Sequence, residues 1–341
     1  MTFINRICPI LALAAALITP AHADWASSPE IKALYEKAKK EGKVHVWGTT
    51  AGAVDWLPKA FGAAFPGIDV QFHGENDITT KAISEARAGR NQVDVFLNSL
   101  TGILPLVQRD LAANVDWTAL GAPKDVAAFN GRAALTYNIA YTIAFNKAQV
   151  KAADAPKRWE DLLDPAYKGK MVSSIFLMPR LVGGLSLVWG KDKAIQFARS
   201  MINTNDTMVT RAPREPIISS GERIYGIGEI DSQVMRWQLA GLPIEYVVPE
   251  PVVLGQFLVT VLAKAPNPNA ARLMAGWILS PEGKQAQANA VLINDYGPTG
   301  TSDIAKKIQS KQVQVVFDTP ELMETRERAI AEMGPIISGQ R

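Results

Sequence analysis

The chain has 341 residues, of which 48% are hydrophobic and 20% are charged, and its formal net charge at pH 7 is +3. This composition is that of an ordinary globular protein. The near balance of charge and the lack of a Lys/Arg cluster argue against a nucleic-acid surface, so we expect no nucleic-acid partner.

The N-terminal segment has the pattern of a secretory signal peptide. Arg6 precedes the apolar run ICPILALAAALIT, which is too short to span a membrane, and the small-residue motif AHA follows. We expect cleavage after Ala23, so that an exported chain begins at Asp24. Cys8 is the one cysteine and lies inside this segment. The exported chain is therefore expected to have neither disulfides nor thiol chemistry.

Helix and strand patterns alternate over the next part of the chain. Apolar residues at helical spacing occur in SPEIKALYEKAKKEG, DWLPKAFGAAFPG, DITTKAISEARAG and TGILPLVQRD, and the strand-like runs VHVW, IDVQFHG and VDVFLNS lie between them. Such alternation is the signature of βαβ units and predicts a mainly parallel sheet.

A second set of elements follows after a break. The long β-rich run ALTYNIAYTIAFN comes first, and further strand patterns occur in KGKMVSS, TMVTR, RIYGIGEI, PIEYVVPE and QFLVTVLAK. Helical patterns occur in RWEDLLD, KDKAIQFARSMIN, EPIISSGE, SQVMRWQLAG, NAARLMAGWIL, SPEGKQAQANA and TPELMETRERAIAEM. The length and the two sets of elements predict an α/β protein of two domains.

Several predicted strands end in short polar turns. The endings read WGTTAG, FLNSLTG, MVSSI, VTRAPR and GEIDS. In parallel α/β sheets, ligands bind beyond the carboxyl ends of the strands, where the loops meet and the following helices present free N–H groups. Ser, Thr and Asp are also preferred helix N-caps, so capping explains each ending by itself. Taken together, the endings predict a ligand-binding cleft.

The order of these segments resembles the solute-binding proteins of ATP-binding-cassette importers. The segments APKRWEDLLDPAYKGKMVSS, SSGERIYGIGEIDSQVMRWQLAGLPIEYVVPE and NPNAARLMAGWILSPEGKQAQA carry most of the resemblance. It is strongest with the ferric-iron-binding branch, whose relatives include binders of phosphorylated and other anionic organic solutes. The resemblance implies a periplasmic location and a two-lobed type II periplasmic-binding-protein fold, in which two β-strand hinge crossings join α/β lobes.

The resemblance also implies a division of the chain. Residues 24–130 and 248–341 would form the first lobe, residues 131–247 would form the second, and the crossings would lie near 135–141 and 244–248. A solute held between the lobes would favour the closed form, which would deliver it to the membrane permease of the importer. We expect a monomer with no cofactor and no catalytic residue.

Ten residues are candidates for contact with the solute. They are Trp47, Thr49, Thr50, Ser99, Tyr141, Ser173, Ser174, Arg211, Asp231 and Gln233. Arg211 follows a predicted strand, where its guanidinium can bind a carboxylate or phosphate with two hydrogen bonds. Arg214 could act in the same way, but Glu215 beside it offers a local ion pair. We therefore expect a small anionic solute, organic or phosphorylated.

Three of the candidates have a second interpretation. Asp231 either caps the helix SQVMRWQ or accepts hydrogen bonds from a hydroxyl or ammonium of the solute. Trp47 is either a flat contact surface or a core residue, since strand tryptophans are usually buried. Tyr141 stands in the first crossing, where relatives often carry a basic residue, so aromatic and carboxylate solutes are included among those to test.

Two alternative functions remain open. Iron-binding relatives hold the metal with adjacent tyrosines after the strand that here reads RIYGIG, and this chain has Glu229, Ile230 and Asp231 there. Binding of ferric iron or a ferric chelate would therefore need other ligands. A secreted hydrolase would need Glu229 and Asp231 as a carboxylate pair, because no G-x-S-x-G, H-E-x-x-H or Walker motif occurs.

Overall fold

The structure is a computed structural model, and the residues that it describes leave out the N-terminal segment and several short stretches. They are 25–49, 56–75, 77–291, 296, 302–317 and 319–339. The candidate Thr50 lies outside them. Within this part of the chain, no helix combines the length and the apolar character that crossing a membrane requires.

The first part of the chain forms a parallel sheet, as its pattern predicts. Strand β1 (Lys43–Gly48) lies between β2 (Asp69–Gly74) and β3 (Val95–Ser99) and is parallel to both. The accompanying helices are α1 (Pro29–Glu41), α2 (Leu57–Ala64), α3 (Ile78–Arg87) and α4 (Leu100–Val107). Ser28 begins α1 by accepting a hydrogen bond from the Ile31 amide, and Gly42 ends it in the left-handed conformation.

A second parallel group uses three later strands. Strand β6 (Met171–Ser174) lies between β7 (Met208–Thr210) and β8 (Tyr225–Ile230). The helices of this part are α5 (Leu177–Trp189), α6 (Lys191–Arg199), α7 (Glu215–Ser220) and α8 (Asp231–Leu239). We call the part built on β1, β2 and β3 the first lobe and the part built on β6, β7 and β8 the second lobe.

Two segments of the chain connect the lobes. Strand β5 (Ala133–Asn146) pairs with β10 (Val252–Val261) as far as Ala140 and with β8 from Tyr141 onward. Strand β9 (Ile244–Val247) also pairs with the second half of β5, and the chain then passes through residues 248–251 into β10. The first crossing lies between residues 140 and 141, and the second follows β9. Two crossings between the lobes are present, as predicted, but the second passes through residues 248–251, which follow β9 and lie outside any strand.

The remaining elements complete both lobes. They are β4 (Ala127–Ala128), which pairs with β5, α9 (Pro268–Leu279), α10 (Pro281–Val291), α11 (Asp303–Gln309), β11 (Val315–Phe317), which pairs with β10, and α12 (Met323–Ile337). Short 3₁₀ helices occur at Trp25–Ser27, Lys124–Val126, Ala152–Asp154, Trp159–Leu163, Pro165–Tyr167 and Pro320–Leu322, and a π-helical turn occurs at Ser200–Thr204.

Each lobe has its own hydrophobic core. The first contains Phe61 and Trp277, and the second contains Phe145 and Trp159. Fully burying one such side chain stabilises the fold by about 1.5–3 kcal/mol. Helix α12 packs on α5 and α6, and its Met333 belongs to the second core. The assignment of residues 248–341 to the first lobe stays a prediction. Helix α12 belongs to that range, but it packs against the second lobe.

Candidate functional site

A cleft lies at the carboxyl ends of the strands of both lobes. It consists of two adjoining compartments that share Thr49, Phe176 and Arg180 as lining residues. The two enclose about 360 and 430 Å³. Small-molecule sites usually fall within about 300–1,000 Å³, so the cleft has room for a small solute.

We name the two compartments after their side chains. The hydroxyl compartment is lined by Thr79, Asn98, Ser99 and Thr101 of the first lobe and by Glu327 of α12. The arginine compartment is lined by Asp77, Ser174, Arg211, Arg214, Gln233 and Arg236. Strand β1 ends next to Thr49, β3 ends at Ser99, β6 ends at Ser174 and β7 is followed by Arg211. The strand ends of the two lobes therefore meet at one site.

Arg214 is neutralised inside the protein. Its Nε donates to Glu229 Oε1 at 2.8 Å, and one terminal nitrogen donates to Oε2 at 3.1 Å. Burial raises the pKa of Glu229, and the Arg214 guanidinium opposes that shift. The sequence predicted a local pair with Glu215, but the structure pairs Arg214 with Glu229. This pairing also occupies one of the two carboxylates that a hydrolase or an iron site would need.

Arg211 and Arg180 present guanidinium groups to the cleft without an internal acceptor. The Arg211 guanidinium carbon lies 5.4 Å from the centroid of the Phe176 ring, a cation–π contact. Phe176 is 45% exposed, although it is a large apolar side chain. Among the described residues, neither guanidinium donates a hydrogen bond or forms an ion pair. Both groups are therefore available to an anion.

Hydrogen bonds hold the side chains of the hydroxyl compartment in place. Asn98 Oδ1 accepts from the Ser99 amide at 2.7 Å, and Asn98 Nδ2 donates to Thr79 Oγ1 at 3.1 Å. Ser99 Oγ lies 2.9 Å from Thr101 Oγ1. A Cβ atom at Gly102 would lie 2.2 Å from Asn98 Nδ2, so any larger residue at this point of α4 would displace the Asn98 side chain. These bonds position the hydroxyls before any solute arrives.

Two polar atoms of the hydroxyl compartment are buried without a partner in the described part of the chain. They are Thr49 Oγ1 and Glu327 Oε1. Thr49 is only 8% exposed. Burial raises the pKa of Glu327, and the nearby charges of Arg326 and Arg180 oppose that shift. Because buried polar groups in proteins are nearly always hydrogen-bonded, both atoms indicate a place for a bound molecule.

Five of the ten sequence candidates line this cleft. They are Thr49, Ser99, Ser174, Arg211 and Gln233. Ser174 Oγ accepts from the Phe176 amide at 3.1 Å, and Gln233 Oε1 accepts from Arg236 at 2.8 Å. That these side chains contact the solute stays a prediction.

Four other candidates do not line the cleft. Ser173 is fully buried and donates to the Ile227 carbonyl at 2.6 Å. Asp231 is buried at the start of α8, where its carboxylate accepts from the Ala140 amide and the Tyr296 hydroxyl. Trp47 and Tyr141 are packed in hydrophobic clusters. We correct their assignment from solute contact to packing and hydrogen bonding within the protein.

Sequence reasoning missed several residues of the cleft, among them Phe176, Arg180 and Glu327. Phe176 and Arg180 lie in the segment IFLMPR that follows the predicted MVSS strand. The signal was present, since Arg180 is the one charged residue of the apolar helix α5. Glu327 gave no such signal, because it lies in a helix with several charged residues.

Among the described residues, no group of three or more His, Cys, Asp or Glu side chains is placed so that it could hold a metal ion. Glu229 and Asp231, the residues of the iron alternative, both use their carboxylates in bonds within the protein.

Comparison with known proteins identifies the family. The model that describes bacterial extracellular solute-binding proteins matches residues 105–312, more than half of the chain. The chain belongs to this family. Its fold is that of iron-bound HitA from Pseudomonas aeruginosa, with a TM-score of 0.71 and 16% identity over 86% of this chain and 99% of that one. The extracellular solute-binding fold predicted from the sequence is therefore confirmed.

Two further relatives are a sugar-phosphate-binding protein and an uncharacterized protein. AfuA from Actinobacillus pleuropneumoniae, with fructose-6-phosphate bound, has a TM-score of 0.67 and 20% identity over 87% of this chain and 99% of that one. An uncharacterized protein of Haemophilus influenzae is 28% identical over 145 residues, which are 40% of this chain and 41% of that protein. As a member of this family, the chain is a bacterial extracellular solute-binding protein.

Proposed function

We propose that this protein is the periplasmic component of an ATP-binding-cassette importer and captures a small organic or phosphorylated anion between its lobes. One observation carries the proposal: Arg180 and Arg211 line the cleft, and their guanidiniums have no acceptor among the described residues. A planar guanidinium binds carboxylate and phosphate groups with paired hydrogen bonds, so these two side chains suit an anion.

The balance of charge in the cleft supports the same conclusion. Glu229 neutralises Arg214, which leaves Arg180 and Arg211 against Asp77 in the arginine compartment. Two unit charges 4 Å apart interact by about 4 kcal/mol in surroundings of intermediate polarity, before the cost of desolvation. Such a surplus of cations favours an anion and opposes a bare ferric ion. An iron cargo would therefore have to arrive as a negatively charged chelate.

Binding between the lobes provides a mechanism that needs no chemistry. Thr49 and Ser99 belong to the first lobe, and Arg180 and Arg211 belong to the second. A solute that contacts both sets binds the closed form better than the open form, and it shifts the equilibrium by that difference in affinity. The crossings through β5 and through residues 248–251 would act as the hinge. We propose that the closed monomer delivers the solute unchanged to a membrane permease.

A thermal-shift panel tests the proposal. The panel contains phosphorylated sugars, phosphonates, aromatic carboxylates, dicarboxylates and ferric citrate, with the matching uncharged sugars and alcohols as controls. At about 100 times its Kd, a true ligand adds about 2.7 kcal/mol to the free energy of unfolding. We expect stabilisation by at least one anion, none by its uncharged counterpart, and recovery of the anion unchanged.

Three results would contradict the proposal. The first is a panel in which no anion stabilises the protein. The second is a coloured complex with ferric ion alone, which would favour the iron alternative. The third is turnover of a bound anion, which would favour the hydrolase alternative.

A further inference from the structure

We propose that Glu327, on the last helix, binds a hydrogen-bond donor of the solute, so that the solute carries an anionic group at one end and a hydroxyl or ammonium at the other. This inference rests on the proposed function, since it concerns the same cleft. It adds a ligand-binding residue and narrows the class of solute.

The position of Glu327 is the first reason. Helix α12 packs on α5 of the second lobe, and this packing brings Glu327 to the wall of the hydroxyl compartment. Its Oε1 atom is buried and, in the part of the chain that the structure describes, accepts no hydrogen bond. A carboxylate oxygen can only accept while it is ionised, so the missing partner is a donor.

Thr49 is an independent second observation. It follows β1 of the first lobe, so it approaches the cleft from a different element, and its buried Oγ1 also has no partner within the described ranges. A hydroxyl can donate as well as accept. Two unsatisfied polar atoms from different elements line one compartment, which is the arrangement expected around a polar group of a ligand.

The neighbouring cations do not supply the missing donor. Arg180 and Arg326 lie close enough to oppose the burial of the Glu327 charge, but Glu327 Oε1 accepts a hydrogen bond from neither of them. Arg180 lines both compartments and belongs to the anion-binding set. A solute whose anion lies at Arg211, in the arginine compartment, can extend past Arg180 into the adjoining compartment that Glu327 lines.

Three matched pairs of small anions test the inference. They are phosphoethanolamine with ethyl phosphate, glycerol 3-phosphate with propyl phosphate, and 4-aminobutyrate with butyrate. Each is titrated calorimetrically into the wild type, Glu327→Gln, Glu327→Ala and Glu324→Gln. Glu324 is the control, because it lies on the same helix and its side chain is 78% exposed. Circular dichroism establishes that each variant is folded.

We expect the donor-bearing member of at least one pair to bind the wild type at least tenfold tighter than its plain partner. Glu327→Gln should remove that advantage for an ammonium, Glu327→Ala should remove it for either donor, and Glu324→Gln should keep it. The plain partner should bind all four proteins alike.

Other outcomes overturn the inference in distinguishable ways. Equal affinity within every pair, or an advantage that survives Glu327→Ala, removes the role of Glu327 and leaves the anion-binding cleft standing. Equal weakening of both members by Glu327→Gln means that Glu327 acts only by positioning Arg180. If none of the six probes binds and no anion of the wider panel stabilises the protein, both the proposed function and this inference are wrong. If none of the six binds but another anion does, only the inference fails.

Discussion

The Arg211 guanidinium makes a cation–π contact with Phe176. Among the described residues, it donates no hydrogen bond and forms no ion pair. Its removal should therefore weaken anion binding without leaving a buried charge unpaired. We expect Arg211→Ala to weaken the best anion of the panel by about 10- to 100-fold, because a hydrogen bond to a charged group contributes about 1.5–3 kcal/mol. Isothermal titration calorimetry measures this change.

Arg272 provides the matched control for Arg211. It is exposed on α9 and does not line the cleft. Arg272→Ala should bind the same anion as the wild type does, and both variants should keep the wild-type melting temperature in the absence of ligand. Unchanged affinity in Arg211→Ala would remove this side chain from the site.

Glu327 should make the ligand-free protein sensitive to pH. Burial raises its pKa in the folded state, although Arg326 and Arg180 oppose the shift. Because the folded pKa lies above the unfolded one, the contribution of Glu327 to stability is fully present below the unfolded pKa and is lost as pH rises through the folded pKa. Glu327→Gln should therefore be more stable than the wild type at pH 7.

The pH comparison includes its own control. Near pH 4 the wild-type carboxyl is largely protonated, so the difference from the glutamine variant should shrink there. Urea denaturation without ligand at pH 4 and pH 7 measures both differences. A glutamine variant that is less stable than the wild type at pH 7 would show that the ionised carboxylate is well satisfied in the free protein.

Part of the site was predictable from single residues. Hydroxyls and an arginine after strands predicted Thr49, Ser99 and Arg211, because strand ends meet at one edge of a parallel sheet. Asp231 could not be assigned from the sequence, since an aspartate after a strand serves a cap, a ligand or an internal bond equally well. Its partner, Tyr296, is 65 residues away along the chain. Such long-range pairing leaves no local pattern.

The end of β8 is tied to the turn after β7 by the Arg214–Glu229 pair, whose carboxylate is fully buried. Breaking a buried pair by removing one partner costs about 3–5 kcal/mol, because the other charge is left unpaired. We expect Arg214→Ala to lower the free energy of unfolding by that amount. Urea denaturation at neutral pH measures it.

A surface pair of the same geometry is the control. Arg90 also makes two hydrogen bonds to a glutamate, Glu85, but its side chain is 58% exposed. Exposed pairs contribute only about 0–1 kcal/mol, so Arg90→Ala should have a small effect. Equal losses in the two variants would mean that Glu229 is not held as a buried charge.

Whole helices and strands could be predicted where their sequence has a clear strand or helix pattern. The long run ALTYNIAYTIAFN predicted a long strand, and β5 has nearly that extent; its crossing between the lobes was implied by the family resemblance. Helix α5 was missed, because LMPRLVGGLSLVW is apolar on most of its faces and so has no helical period to read. The packing of α12 on α5 was hidden for another reason, since it joins elements far apart in the chain.

The molecule as a whole should become more compact when it binds. The solute is expected to contact both lobes, and only the crossings through β5 and residues 248–251 need to bend for the cleft to close. Small-angle X-ray scattering should show a smaller radius of gyration with the best anion at saturation. Arg211→Ala at the same concentration should stay at the ligand-free value. An unchanged radius in the wild type would mean that binding does not require closure.

A crystal structure of the complex with the most stabilising anion tests the central claim most directly. We predict that the anionic group lies within hydrogen-bonding distance of Arg180 or Arg211 and that Thr49 or Ser99 contacts the same molecule from the first lobe. An anion bound outside the cleft, or one that touches a single lobe, would contradict the account.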